Sequence, residues 1–201
     1  MDTIAVWISF LSNILIWIVG LILVFLNKNQ ITAKSWVYFL FFTALSSGVA
    51  AFGHLPLSNV KLSTNLLMIS RVLSLFSVFE FTKGCILFSR FNGIRVVKYI
   101  NSFLFVLSLV WLFFGHHFLP IMIYGMIGML GIGSSALLTH FTQNKSEVIP
   151  ILWGIALLFI SAVIFAIFKN KYHFESTNIS HIIVAISLVY FTKGFRQLKL
   201  N

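Results

Sequence analysis

Charge is what this sequence lacks most. Only 9% of its 201 residues are Asp, Glu, Lys or Arg, against roughly a quarter in an ordinary soluble domain. Such a chain cannot dress a water-facing surface, so a soluble fold is excluded. A single cysteine, Cys85, rules out an internal disulfide and says nothing of redox compartment. Prolines number three, and Pro56, Pro120 and Pro150 all fall near the ends of apolar runs, where a missing N–H does little harm. No basic segment precedes the first apolar run, and "MDTIAVWISFLSNILIWIVGLILVFL" is too long for a cleavable leader, so it reads as a retained span.

What is present is apolar: 59% hydrophobic residues, 23 of them Phe, with a mean hydropathy of +1.01. A hydrocarbon core about 30 Å thick needs roughly 20 apolar residues per helix. Windows of that size occur at about 4–26, 35–55, 66–88, 96–114, 119–139, 148–168 and 177–195. The expected fold is therefore all-α and polytopic, a single domain of seven transmembrane helices over residues 1–201. Its short polar connections make sequential helices antiparallel neighbours.

The net charge of +10 does not point to nucleic acid, because the cations sit between apolar runs instead of in one stripe. Connections one, three and five with the C-terminus carry Lys28, Lys34, Arg90, Arg95, Lys98, Lys145, Lys193, Arg196 and Lys199. The other side carries Lys61, Lys169 and Lys171. Positive residues favour the cytoplasmic side, which predicts an outer N-terminus and a cytoplasmic C-terminus. Small size and compact loops suggest a bacterial inner membrane. On this orientation His54, His116, His117, His173 and His181 lie toward the outer pole, and His140 toward the inner.

Two stretches echo each other. "ISRVLSLFSVFEFTKG" (69–84) and "ISHIIVAISLVYFTKG" (179–194) share Ile-Ser, a second Ser and Phe-Thr-Lys-Gly at equal spacing, with Arg71 opposite His181 and Ser77 opposite Ser187. Both run from outside to inside, as a parallel three-plus-one-plus-three repeat of the kind found in some transporters requires. The competing reading is a shared apolar alphabet ending in an anchor and a terminator, Lys then Gly.

Ionisable groups within a span cost about 2.5–3.5 kcal/mol on insertion scales and mark candidate sites. Glu80 lies just inward of the middle of helix three, with Lys83 three residues on and on the same face. It is either half of an internal ion pair or an acceptor for a proton or substrate. Arg71, nine residues earlier, falls half a turn round the helix, and it anchors at the outer headgroups or binds an anionic lipid or carboxylate. Ser9, Ser12, Asn13, Ser46 and Ser47 are expected to bond between helices. His54 and His181, each near the outer end of its helix, share a cavity if helices two and seven are neighbours. Each is otherwise an interfacial histidine bonded to a carbonyl. As a metal pair they would have Asn178, Glu175 or His173 nearby as a further ligand or support.

At these residues the chain resembles the CREST membrane hydrolases, which include the alkaline ceramidases and the adiponectin receptors. The likeness rests on "GVAAFGH" closing helix two and on a histidine entering helix seven. "FESTNISHIIVAISLVYFTKG" is also similar to the last helix of an uncharacterised bacterial seven-helix family. The resemblance implies zinc held by His54 and His181, with His173 as a further candidate ligand. Glu80 and Asn178 would be candidate catalytic groups and Arg71 a contact to substrate or lipid. Departures are plain: Ala50 stands where a serine is expected, and Ala185 or Thr177 where the paired histidine should be. A zinc hydrolase needs about three protein ligands and a water. Three readings follow: a divergent metal-dependent lipid amide or ester hydrolase, or a lipid-binding relative that does not cleave; a small transporter or channel using Glu80; and a structural or partner-binding membrane protein. Membrane lipids are the partners common to all.

Overall fold

The computed structural model describes residues 3–55, 60–89, 93–115, 118–141, 145–168 and 173–198, with backbone alone at 3–5, 140, 145–146, 168 and 173–177. Among the described residues there are seven rods and no strand. Helix one is Thr3–Asn27, helix two Lys34–His54, helix three Val60–Leu87 and helix four Ile94–Gly115. Helix five joins Leu119–Gly125, a π-helical stretch Met126–Gly133, and Ser134–Phe141. Helix six is Lys145–Phe168 and helix seven His173–Gln197. All seven are long and apolar enough to cross a membrane. In lipid, every backbone polar group must bond within its own segment, which a helix does. The protein is a multi-pass integral membrane protein.

Helix three is longer than its apolar window. It starts at Val60, because Lys61, Ser63, Thr64 and Asn65 continue the rod above the hydrocarbon, where hydropathy no longer marks it. Pro150 sits inside helix six, a turn and a half past its start at Lys145, and not at the edge. Pro120 does occupy the first turn of helix five.

The helices close a ring. Helix two packs on helices one and three, helix seven on helices six and one, and helix three on helices four and five. Lipid tails are as apolar as leucine, so packing and polar bonds, not hydrophobicity, hold such a ring together. Small residues permit close approach: a Cβ on Gly20 would lie 2.7 Å from Ala44 Cβ, across helices one and two. Gly84 and Gly194 do the same work for helix three and helix seven, each lying against the first turns of the preceding helix, at Trp36 and Ile151. Neither terminates its helix, since both rods run three residues further.

The end of the ring where helix seven finishes is aromatic. Trp36 stacks between Phe88 and Phe195 at centroid distances of 4.6 and 4.3 Å. Phe39 meets Phe81 at 5.1 Å and Phe191 at 5.2 Å, edge to face. Phe81 and Phe191 touch at 5.1 Å. Each such pair adds about 0.5–1.5 kcal/mol beyond the area it buries.

Candidate functional site

The opposite half, toward the start of helix one, has ring pairs of its own between helices one and two, Phe10–Phe52 at 5.8 Å and Trp17–Phe52 at 6.5 Å, together with a set of hydroxyl bonds. Ser46 Oγ donates to the Ser70 carbonyl at 2.9 Å and lies 2.8 Å from Ser74 Oγ, linking helices two and three. Ser161 Oγ donates to the Ser180 carbonyl at 3.0 Å, linking helices six and seven. Asn13 stays within its own helix, its Nδ2 donating to the Ser9 carbonyl at 2.9 Å.

His181 lies in this half, two turns into helix seven. Its Nδ1 is 2.7 Å from Ser12 Oγ of helix one, and Ser12 is buried. Ser12 Oγ also lies 3.1 Å from the Ser9 carbonyl, which already accepts from Asn13 Nδ2. The Ser12 hydroxyl has one hydrogen, so it donates either to that carbonyl or to His181 Nδ1, and the tautomer of the ring follows that choice. With Nδ1–H donating to Ser12, Nε2 is an acceptor; with Ser12 donating to Nδ1, Nε2 carries the hydrogen.

Asn178, one turn earlier on helix seven, has a buried Oδ1 with no hydrogen-bond partner. A buried acceptor left unpaired costs roughly 1–3 kcal/mol. His54 ends helix two, exposed. Helix one packs on both helix two and helix seven, which places His54 and the Ser12–His181 pair at the same end of the bundle. Sequence reasoning marked Ser12 only as helix glue. No local signal identifies which serine meets a histidine 169 residues away.

Zinc fits this donor set incompletely. A hydrogen-bonded Nδ1 with a free Nε2 is the form in which histidine ligates metal, and His54 offers a second ring. Among the described residues, however, no three His, Cys, Asp or Glu side chains gather, where a hydrolytic zinc needs about three. The side chains of His173 and Glu175 lie outside the described residues.

Glu80 belongs to a separate cluster. It is buried, and its carboxylate accepts from Lys83 Nζ at 3.1 and 3.4 Å. Lys83 also lies over the Phe79 ring at 5.8 Å. Helix five packs on helix three. Tyr124 is buried and donates from its hydroxyl to Asn101 Oδ1 of helix four at 2.8 Å. The π-helical stretch follows directly, where Gly128 and Gly133 lie against Thr82, Val78 and Phe81 of helix three, and Ser134 Oγ caps the Met129 carbonyl at 3.0 Å. Arg71 is half-buried, nine residues from Glu80 along helix three.

Residues 8–200 match the model of a family of unknown function, DUF6962. No curated protein and no solved structure matches the chain. The match spans nearly the whole sequence, and the chain belongs to this family.

Proposed function

We propose that this member of the DUF6962 family is a CREST-like membrane protein whose His54–His181 pole faces outward and holds a lipid bearing hydrogen-bond donors, without zinc-dependent cleavage. The Ser12–His181 hydrogen bond carries the reading, taken in the tautomer in which Nδ1–H donates to Ser12 and Nε2 is itself an acceptor. Asn178 Oδ1 is a second, unpartnered acceptor one turn away. A site of acceptors selects a ligand of donors: the amide N–H and hydroxyls of a ceramide-like head, not the bare carbonyls of a triester. The nine-to-three division of cations supports the outer placement, and a bacterial inner membrane suits the compact loops.

The test is binding of a fluorescent short-chain ceramide to protein in nanodiscs, beside a triglyceride of equal chain length, with zinc measured on the same samples. The ceramide should bind preferentially, and Asn178→Leu or His181→Phe should weaken it about tenfold, the worth of one buried hydrogen bond. Equal binding of the triester would sink the proposal. Stoichiometric zinc that disappears in His54→Ala and His181→Ala would restore the metal-dependent hydrolase.

A second reading, transport through a three-plus-one-plus-three repeat, is favoured by paired contacts. In helix two Ser46 follows Trp36 by ten residues, and in helix six Ser161 follows Ile151 by ten. Ser46 and Ser161 donate to the Ser70 and Ser180 carbonyls, while Trp36 and Ile151 receive Gly84 and Gly194. Helix one packs on helix seven as helix five packs on helix three, and Phe81 meets Phe191 between the halves. Glu80 would be the coupling group. Uptake into proteoliposomes that Glu80→Gln abolishes and chelators do not touch would favour this reading. Uptake indifferent to Glu80 would remove it.

A further inference from the structure

At the other pole a groove of about 350 Å³ opens between helices three, four and five, within the size range of small-molecule sites. Its floor is a stripe down helix five: Ile127, Gly131, Ile132, Ser135, Ala136 and Thr139. Ile86, Ile94 and Val97 form the walls. The thirteen residues from Ile127 to Thr139, part π-helix and part α-helix, give the stripe a length of at most about 18 Å, close to half of a hydrocarbon core of about 30 Å. The groove is thus as long as one leaflet is deep. It is apolar at the Ile127 end, and hydroxyls gather at the other, on Ser89, Ser135 and Thr139.

Charge stands at the hydroxyl end. Arg95 and Lys98, both exposed, each follow a groove residue by one position, Ile94 and Val97. No Asp or Glu occurs between Glu80 and Glu147, so nothing acidic in helices four or five competes for them. Gly131 is the narrowest side chain on the floor, and a Cβ built there meets nothing within 4 Å. Gly131 is exposed, so a larger side chain there would stand in the groove without meeting protein.

We infer that this groove seats one acyl chain of an anionic glycerophospholipid of the cytoplasmic leaflet, with Arg95 and Lys98 receiving its phosphate. A basic residue at the membrane surface favours an anionic lipid by a factor of about five, and two together by about 30-fold. The site is independent of the acceptor pocket at the outer pole.

Native mass spectrometry of protein released from nanodiscs of mixed phosphatidylcholine and phosphatidylglycerol tests the assignment. The protein should retain one phosphatidylglycerol, favoured about 30-fold over phosphatidylcholine. Gly131→Leu should lose both lipids, because its side chain fills the floor without meeting protein. Gly125→Leu, on the same helix, also in open space and outside the groove, should behave as the parent and controls for folding. Arg95→Ala with Lys98→Ala should keep an occupant and lose the preference. Retention of lipid by Gly131→Leu, or a preference unchanged without the two cations, overturns the proposal.

Discussion

Removing either partner of the Glu80–Lys83 pair deletes the same contact, yet the two removals have unequal costs. The Glu80 side chain is 12% exposed and that of Lys83 is 47% exposed. A lysine near a helix end can extend its ammonium to the headgroups while its stem stays in hydrocarbon. Glu80→Gln therefore leaves Lys83 with an escape, and costs about 1 kcal/mol or less, as for a half-exposed ion pair. Lys83→Met leaves the carboxylate in place with no cation on its face. That unpaired charge costs about 2.5–3.5 kcal/mol on insertion scales, and removing one partner of a buried pair costs about 3–5 kcal/mol. The double variant Glu80→Gln, Lys83→Met has neither burden, so it should be more stable than Lys83→Met alone by about 2 kcal/mol. Unfolding free energies of the four proteins, measured by steric trapping in bicelles, close the cycle. Equal losses for the two single variants, or a double variant as unstable as Lys83→Met, would refute the reasoning.

Three further outcomes follow from particular contacts. Ser12→Ala removes the hydrogen-bond partner of His181 Nδ1 and should lower stability by about 0.6–1.7 kcal/mol, the range for polar bonds between membrane helices, read by the same trapping assay. Gly194→Leu drives a Cβ into Ile151 Cγ1 and to 3.1 Å from its backbone nitrogen, so thermal unfolding followed by Trp fluorescence should shift down by several degrees, while Gly125→Leu leaves it unmoved. Tyr124→Phe strips the donor from buried Asn101 and should cost about 1–3 kcal/mol. Asn101→Leu with Tyr124→Phe should recover part of that loss, measured by the same unfolding curves.

The seven spans were legible because length and apolarity are properties of a segment alone. The extra turns of helix three were not, since polar residues above the bilayer keep their helix but leave the hydropathy window. Glu80 with Lys83 could be read from a spacing of three, and the structure holds them at 3.1 Å. Ser12 with His181 could not, because that bond depends on how helix one docks against helix seven. The two Lys-Gly pairs invited reading as helix ends. The glycines are sites of interhelical approach instead, a role that depends on a facing residue in another helix and leaves no mark in the local sequence. His54 and His181 were expected together on the condition that helices two and seven adjoin. Helix one packs on both of those helices, and it brings the Ser12 hydroxyl to His181.

The two halves of the bundle are held by forces of different strength, and that bears on where a ligand can act. The half built from Trp36, Phe39, Phe81, Phe88, Phe191 and Phe195 interlocks large rings at 4.3–6.2 Å, and a shift of any one ring displaces several others. The other half combines serine contacts, each worth about 0.6 kcal/mol on average, with three looser edge-on ring pairs, Trp7–Phe10, Phe10–Phe52 and Trp17–Phe52, at 5.8–6.5 Å, and at least one buried acceptor there is left unpaired. A ligand that supplies two donors gains back more than the cost of parting one or two of these hydroxyl bonds, so its binding energy suffices to rearrange this half and not the aromatic one. Amide hydrogen exchange should accordingly be faster around residues 9–13 and 178–184 than around 36–40 and 191–195. Ceramide should slow the first pair of segments and leave the second pair unchanged. Equal protection of both halves without ligand would mean that the two sets of contacts hold the bundle equally well, and the Ser12–His181 half would lose its physical claim to be the responsive end.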